Sequence, residues 1–156
     1  MSKVAGLSAA GPIRPHDVFI SYSSRDKTVA DAICATLEQR HVRCWIAPRD
    51  AQPGNDWSES IARAIKVSRI MVLVFSGHAN SSEQIKRELN LAVEDSVKIV
   101  PFRVEDVPLS ESLKYYIGTP HWLDALTPPL EAHLHRLAAQ LRESGGSFVT
   151  YDSVLS

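Results

Sequence analysis

One glutamate stands where chemistry could be done. In NSSEQIKREL, residues Asn80 to Leu89, the apolar run IMVLVF gives way to small polar residues and then to a helical pattern whose stripe is Ile85, Leu89, Ala92 and Val93. Ser81, Gln84, Glu88 and Leu91 form one flank of that helix, beside the stripe and not opposite it. A carboxylate on that flank is either a solvated surface charge or a reacting group facing a crevice at the sheet edge. A second concentration of chemistry lies in APRDAQPGND, Ala47 to Asp56, a polar connection whose Pro48, Pro53 and Gly54 exclude regular structure. Arg49 and Asp50 sit inside it and Trp57 follows directly. The indole is either an aromatic face for a ligand or a staple that packs the next helix on the core.

Much other chemistry is excluded by what is missing. No GxGxxG follows the first strand and no GxxxxGK[ST] occurs, which disfavours dinucleotide binding of the Rossmann kind and P-loop phosphate binding. A phosphoacceptor receiver domain would need an aspartate where the third strand ends, and Phe75, Ser76 and Gly77 stand there. SYSSRDKT has the hydroxyls of a flavin phosphate loop but no glycine. The histidines are scattered, and His133 and His135, two apart on a helix, point away from each other. Cys34 and Cys44 belong to no CxxC or Cys/His ligand spacing, so they read as buried free thiols and no metal site is expected. With a net charge of -1 and no basic block, a nucleic-acid partner is not expected either. MSKVAGLSAAGPIRP lacks a sustained apolar segment and no run is long enough to span a bilayer. The expectation is a cytoplasmic protein with no membrane partner.

These residues need a scaffold, and 156 residues at 44% hydrophobic suffice for one domain. Residues 1–15 read as a loose leader, 16–142 as the domain and 143–156 as a tail or linker. DVFIS (Asp17 to Ser21) is a first strand, followed by a capping-box pattern with Ser23 and Asp26 and a helix with Val29, Ile33 and Leu37 inward. Val42 to Ile46 is the second strand and Asp56 to Val67 the second helix, with Ile61, Ala64 and Ile65 inward. Ile70 to Phe75 is apolar throughout, as a strand covered on both faces must be, which favours a parallel sheet. The third helix starts from a Ser81/Gln84 capping box. Val97 to Phe102 is the fourth strand, ended by Pro101. A short helix around Leu113 to Tyr116, a strand at His121 to Leu123 and a last helix capped by Thr127, with Leu130, Leu134, Leu137 and Leu141 inward, complete the pattern. Alternating strands and helices specify an α/β doubly wound sheet, with ligands outside the carboxyl ends of the strands.

DVFISYSSRD, WIAPRDAQPGNDW, VLVFSGHANSSEQIKREL and IVPF, in that order over roughly His16 to Leu141, resemble the Toll/interleukin-1 receptor (TIR) domain family in its bacterial style. The resemblance implies a flavodoxin-like five-stranded parallel sheet, and makes Ala47 to Trp57 a mobile loop that shapes the site and mediates homotypic self-association. It implies cleavage of NAD⁺, as substrate and with no separate cofactor, by a glutamate on the third helix, here Glu88. The products would be nicotinamide and either ADP-ribose or a cyclic isomer, in a bacterial anti-phage setting. The alternative is a non-catalytic module that signals by docking other TIR domains. Several enzymatic relatives carry a tryptophan four residues before the glutamate, and this chain has Gln84. On this reading Trp57 offers a stacking surface to a base, and Arg25 reaches the pyrophosphate beside the first helix's amides. Ser21 and Ser76, small residues at two strand ends, admit the ribose or satisfy local turns. Arg49 and Asp50 shape the loop or pair with a neighbouring subunit.

Overall fold

The computed structural model describes residues 16–51, 57–118 and 122–145. Its strands are β1 (Val18–Ser21), β2 (Cys44–Trp45), β3 (Ile70–Phe75), β4 (Lys98–Arg103) and β5 (Leu123–Asp124), all parallel, in the order β2-β1-β3-β4-β5. The longer helices are α1 (Lys27–Gln39), α2 (Trp57–Lys66), α3 (Glu83–Glu94), α4 (Glu111–Ile117) and α5 (Leu130–Gly145). A 3-10 turn at Ser24–Asp26 precedes α1, and a single helical turn, Gly77–Asn80, follows β3. This is the doubly wound arrangement expected, with the strand order reversing between β1 and β3.

Strand alternation divides the core in two. Val18 and Ile20 of β1 and Ile70, Val72 and Val74 of β3 face α1 and α5, where Ile33, Leu37, Leu137 and Leu141 pack. Phe19 of β1 and Met71, Leu73 and Phe75 of β3 face the other way, onto Ile61 and Ile65 of α2, Ile85 and Leu89 of α3 and Leu113 of α4. Every residue of β3 is buried, as its uninterrupted apolar run requires. Burying a side chain of this size removes it from water at a gain of about 1.5–3 kcal/mol, so the central strand anchors both layers. The same alternation carries past the strand ends. Ser21 continues the Phe19 face toward α3, whereas Ser76 continues the Val74 face toward α1.

Several boundaries differ from expectation. β2 is shorter, its ladder to β1 holding only Val18↔Cys44 and Phe19↔Trp45. Pro101 lies inside β4, which runs on to Arg103; β5 pairs with β4 only from Phe102 onward, leaving one side of the strand open at the proline. The cap of α3 is Ser82, whose hydroxyl accepts from the Ile85 amide at 3.1 Å, in place of Ser81. Val93, expected inward, is 50% exposed because one step past Ala92 turns it about 100° out of the stripe, on the edge away from Glu88. α5 begins at Leu130, after Thr127 and Pro128. The proposed second-helix start at Asp56 and fifth-strand start at His121 lie outside the described residues. No helix of the described residues is long and apolar enough to cross a membrane.

Candidate active site

Glu88 is only 7% exposed, and its carboxylate is held at both oxygens. Ser21 Oγ donates to Oε1 at 2.7 Å, and Gln84 Nε2 donates to Oε2 at 2.9 Å. The Ser21 contact follows from the register of β1, which turns that side chain toward α3. The Gln84 contact follows from the helix, where residues four apart stack on one face. Arg87 Nη2 donates to Gln84 Oε1 at 3.1 Å, which orients the amide with its NH₂ toward Glu88. Burial pushes the Glu88 carboxyl above the ordinary range, opposed in turn by the donors of Gln84 and Ser21 and by the Arg87 charge. A carboxylate withdrawn from water yet hydrogen-bonded is a group poised to meet a cation or a pair of hydroxyls.

It faces a cavity of about 370 Å³ at the carboxyl ends of β1 and β2. Phe19, Ile20 and Tyr22 form its floor; Ser23 and Ser24 come from the turn before α1, Trp45, Ala47 and Pro48 from β2 and its loop, Trp57 and Ile61 from α2, and Ser82 and Gln84 from α3. The volume is at the lower end of small-molecule sites. Trp57 stands at the first residue of α2 with 48% of its surface exposed, so its indole is a cavity wall and not a core staple. Trp45 is the opposite case: it stacks on Phe19 with centroids 5.0 Å apart and planes 8° from parallel, which fixes the floor.

The other sequence candidates fall elsewhere. Ser76 donates to Asp26 Oδ2 at 2.5 Å and accepts from the Ala79 amide at 3.1 Å, on the α1 face of the sheet and away from the cavity. Asp26 is thereby used to tie α1 to β3, and the Ser23 hydroxyl instead accepts from the Arg25 amide at 3.3 Å. Arg25 is exposed and follows Ser24 in the chain, but is not among the residues that line the cavity. Arg49 pairs in a two-pronged contact with Glu38, at 2.9 Å for each prong, and also with Asp50, whose other contact accepts the Ile46 amide at 2.9 Å. These two residues shape the loop from its far side and do not enter the cavity.

One participant was missed from sequence, and one was named without its contact. Tyr22 lines the cavity and donates its phenol to the Ala47 carbonyl, joining β1's end to the loop. Its place directly after Ser21, at a strand's carboxyl end, was the available signal. Gln84 was placed on the flank of Glu88, in a capping box with Ser81 and where several relatives carry tryptophan, but its hydrogen bond to Glu88, which the four-residue spacing allows, was not read.

Known proteins agree with this architecture. The TIR domain model matches residues 18–138. The chain is 33% identical over 120 residues to a stimulator of interferon genes protein of Magallana gigas, covering 67% of this chain and 29% of that one. It is 30% identical over 150 residues to the probable 2' cyclic ADP-D-ribose synthase BdTIR of Brachypodium distachyon, covering 94% of this chain and 64% of the other. It is 31% identical over 77 residues to the NAD(+) hydrolase PdTIR of Paracoccus denitrificans, covering 49% and 26%. The chain thus spans less than two thirds of the length of each. Among solved structures, the TIR domain of the Toll-related receptor TRR-2 of Hydra magnipapillata superposes with a TM-score of 0.68 at 22% identity, covering 80% of this chain and 96% of that one. With its sheet order, its helices and the matched span of 18–138 all in agreement, this chain belongs to the TIR domain family.

Proposed function

We propose that this domain cleaves the bond between nicotinamide and ribose in NAD⁺, with Glu88 as the catalytic residue. The observation that carries this reading is a buried, hydrogen-bonded carboxylate facing a cavity at the carboxyl end of a parallel sheet. Similarity to relatives named as an NAD(+) hydrolase and a probable cyclic ADP-ribose synthase supports it.

The chemistry needs little more than that group. Nicotinamide is attached as a pyridinium, so when its bond to C1′ breaks the electron pair leaves with the nitrogen and the departing base is neutral. No general acid is required, unlike in ordinary glycoside hydrolysis. Positive charge then develops on the ribose, and an anionic Glu88 in a water-poor wall stabilises it. The ribose hydroxyls take over as donors to the carboxylate as the substrate seats. Water adds to C1′ and loses a proton to give ADP-ribose, or an atom of the adenosine half adds to give a cyclic isomer. Trp57 supplies a face for a base, Arg25, one residue past the lining Ser24, reaches toward the pyrophosphate, and Ser21 leaves room for the sugar. The substrate is the only nucleotide involved, with no separate cofactor or metal in the step. We place this activity in the cytoplasm of a bacterium, in anti-phage defence, switched on when copies associate through the Ala47 to Trp57 loop.

A second reading is an interaction module without catalysis. One observation favours it: both Glu88 oxygens already have intramolecular donors, as a structural carboxylate would. The experiment is to incubate concentrated protein with NAD⁺ and quantify free nicotinamide, with Glu88→Gln beside it. Release by the wild type and loss of at least a hundredfold in the variant support the enzyme; no release at any concentration, or equal rates, leaves the module.

A further inference from the structure

On the far side of the loop that walls the cavity at Glu88, the fold brings together two thiols and a carboxylate from α1 and β2. We propose that Cys34, Glu38 and Cys44 bind a thiophilic divalent cation of the zinc class. Cys34 and Glu38 are four apart on α1 and so share one face; Cys44 opens β2, which packs beneath it. The two Sγ atoms and a Glu38 oxygen all lie within 4.8 Å of one another. A tetrahedral ion with bonds of about 2.3 Å to sulfur and about 2.1 Å to oxygen needs edges of roughly 3.4–3.8 Å. Binding therefore requires the three atoms to draw closer than the 4.8 Å within which they now lie. The sequence spacing gave no hint of this, because the ligands meet only through the packing of α1 on β2.

Three further features fit a cation. A cavity of about 320 Å³ reaches Cys34 and Glu38 from solvent, giving an entry path and room for a water as fourth ligand. Arg49 donates Nη2 to Glu38 Oε2 at 2.9 Å and to the Cys44 carbonyl at 3.0 Å, the outer partner that would orient a ligating carboxylate. Two thiolates, Glu38 and the Asp50 that shares Arg49 carry four negative charges against three on a divalent cation and the guanidinium, so the cluster with its ion stays one charge negative, which favours a cation there. Binding releases the two thiol protons to solvent and changes no oxidation state. Ala47 and Pro48 wall both this cavity and the one at Glu88, so an ion here braces the loop base from behind.

The test uses the reduced full chain and needs no NAD⁺. Cd²⁺ is titrated while thiolate-to-metal charge-transfer absorption is followed, then Zn²⁺ is added against a chromophoric chelator. The expected result is one ion per chain, a band of two-thiolate intensity displaced by Zn²⁺, and loss of the band in Cys34→Ser and in Cys44→Ser. Arg49→Ala should bind about 10–100-fold more weakly. In mild urea that lets a small alkylating reagent reach these buried thiols in the metal-free chain, Zn²⁺ should also slow alkylation of both, a readout that stands even if a serine variant fails to fold. Absence of the band with both thiols shown reduced, equal alkylation with and without Zn²⁺, or a disulfide as the only product of metal treatment overturns the site.

Discussion

Replacing Gln84 with Met keeps the length and apolar stem of the side chain and removes only the amide that meets Glu88. That amide donates at 2.9 Å and is held in orientation by Arg87, so its loss leaves one carboxylate oxygen without its protein donor. A hydrogen bond to a charged group contributes about 1.5–3 kcal/mol, and the partial exposure of Gln84 places this one near about 1.5 kcal/mol, roughly tenfold in the ionisation equilibrium. The sign follows from burial. Glu88 in the folded chain ionises above the ordinary carboxylate range, so its contribution to stability is full below the unfolded value and is lost as pH rises through the folded one. Gln84→Met moves the folded value further up. Its stability should match the wild type in acid, below about pH 4, and fall short by about 1.5 kcal/mol at neutral pH. The acid limb of kcat/KM for nicotinamide release should move toward neutrality by the same cause. Urea melts across the pH range and initial rates on NAD⁺ measure both. Superimposable stability curves from acid to neutral pH would refute the claim that Gln84 acts through the ionised carboxylate.

Other perturbations separate the site from its scaffold. Trp57→Ala should leave the urea midpoint unchanged within about 0.5 kcal/mol, since the indole is half exposed, while raising KM for NAD⁺; a folding defect instead would return Trp57 to the role of a core staple. Leu89→Ala, at the position next to Glu88 and wholly buried, should cost about 2–5 kcal/mol in denaturant unfolding. His16 is held near the Ala64 carbonyl at 2.9 Å and Ser68 Oγ at 3.0 Å, and burial lowers its ionisation below the usual range. Its contribution is therefore present above about pH 6.5 and lost as pH falls through the folded value, so His16→Asn should flatten the stability profile between about pH 7 and 5.

The sheet was legible because β3 has no polar interruption and because Ile85 and Leu89 repeat at helical spacing. β2 was overread because Val42 to Ile46 is apolar enough for five strand residues, yet pairing depends on β1, which meets it at only two. Glu88 was legible as a flank residue, but its depth was not: helical angle places a side chain to within a sector, while coverage depends on how β1's end and the turn before α1 approach it. The divergence of Ser21 and Ser76 shows the limit most clearly. Both are serines at the carboxyl ends of adjacent strands, and one-residue parity sends the first to the carboxylate and the second to Asp26. Spacing along one chain can express parity, but the element that waits on each side is a property of the assembled layers.

β2 and β5 are the outermost strands, and each is two residues long. An unpaired rim that short gives a passing chain almost no ladder to extend, and stacking identical molecules rim to rim would gain one or two backbone bonds at most. Protein concentrated for a turnover assay therefore has little tendency to grow amyloid-like ribbons. Any ordered filament or ring of this domain would have to be glued by side chains on helices and loops, and so should dissolve on single charge reversals there.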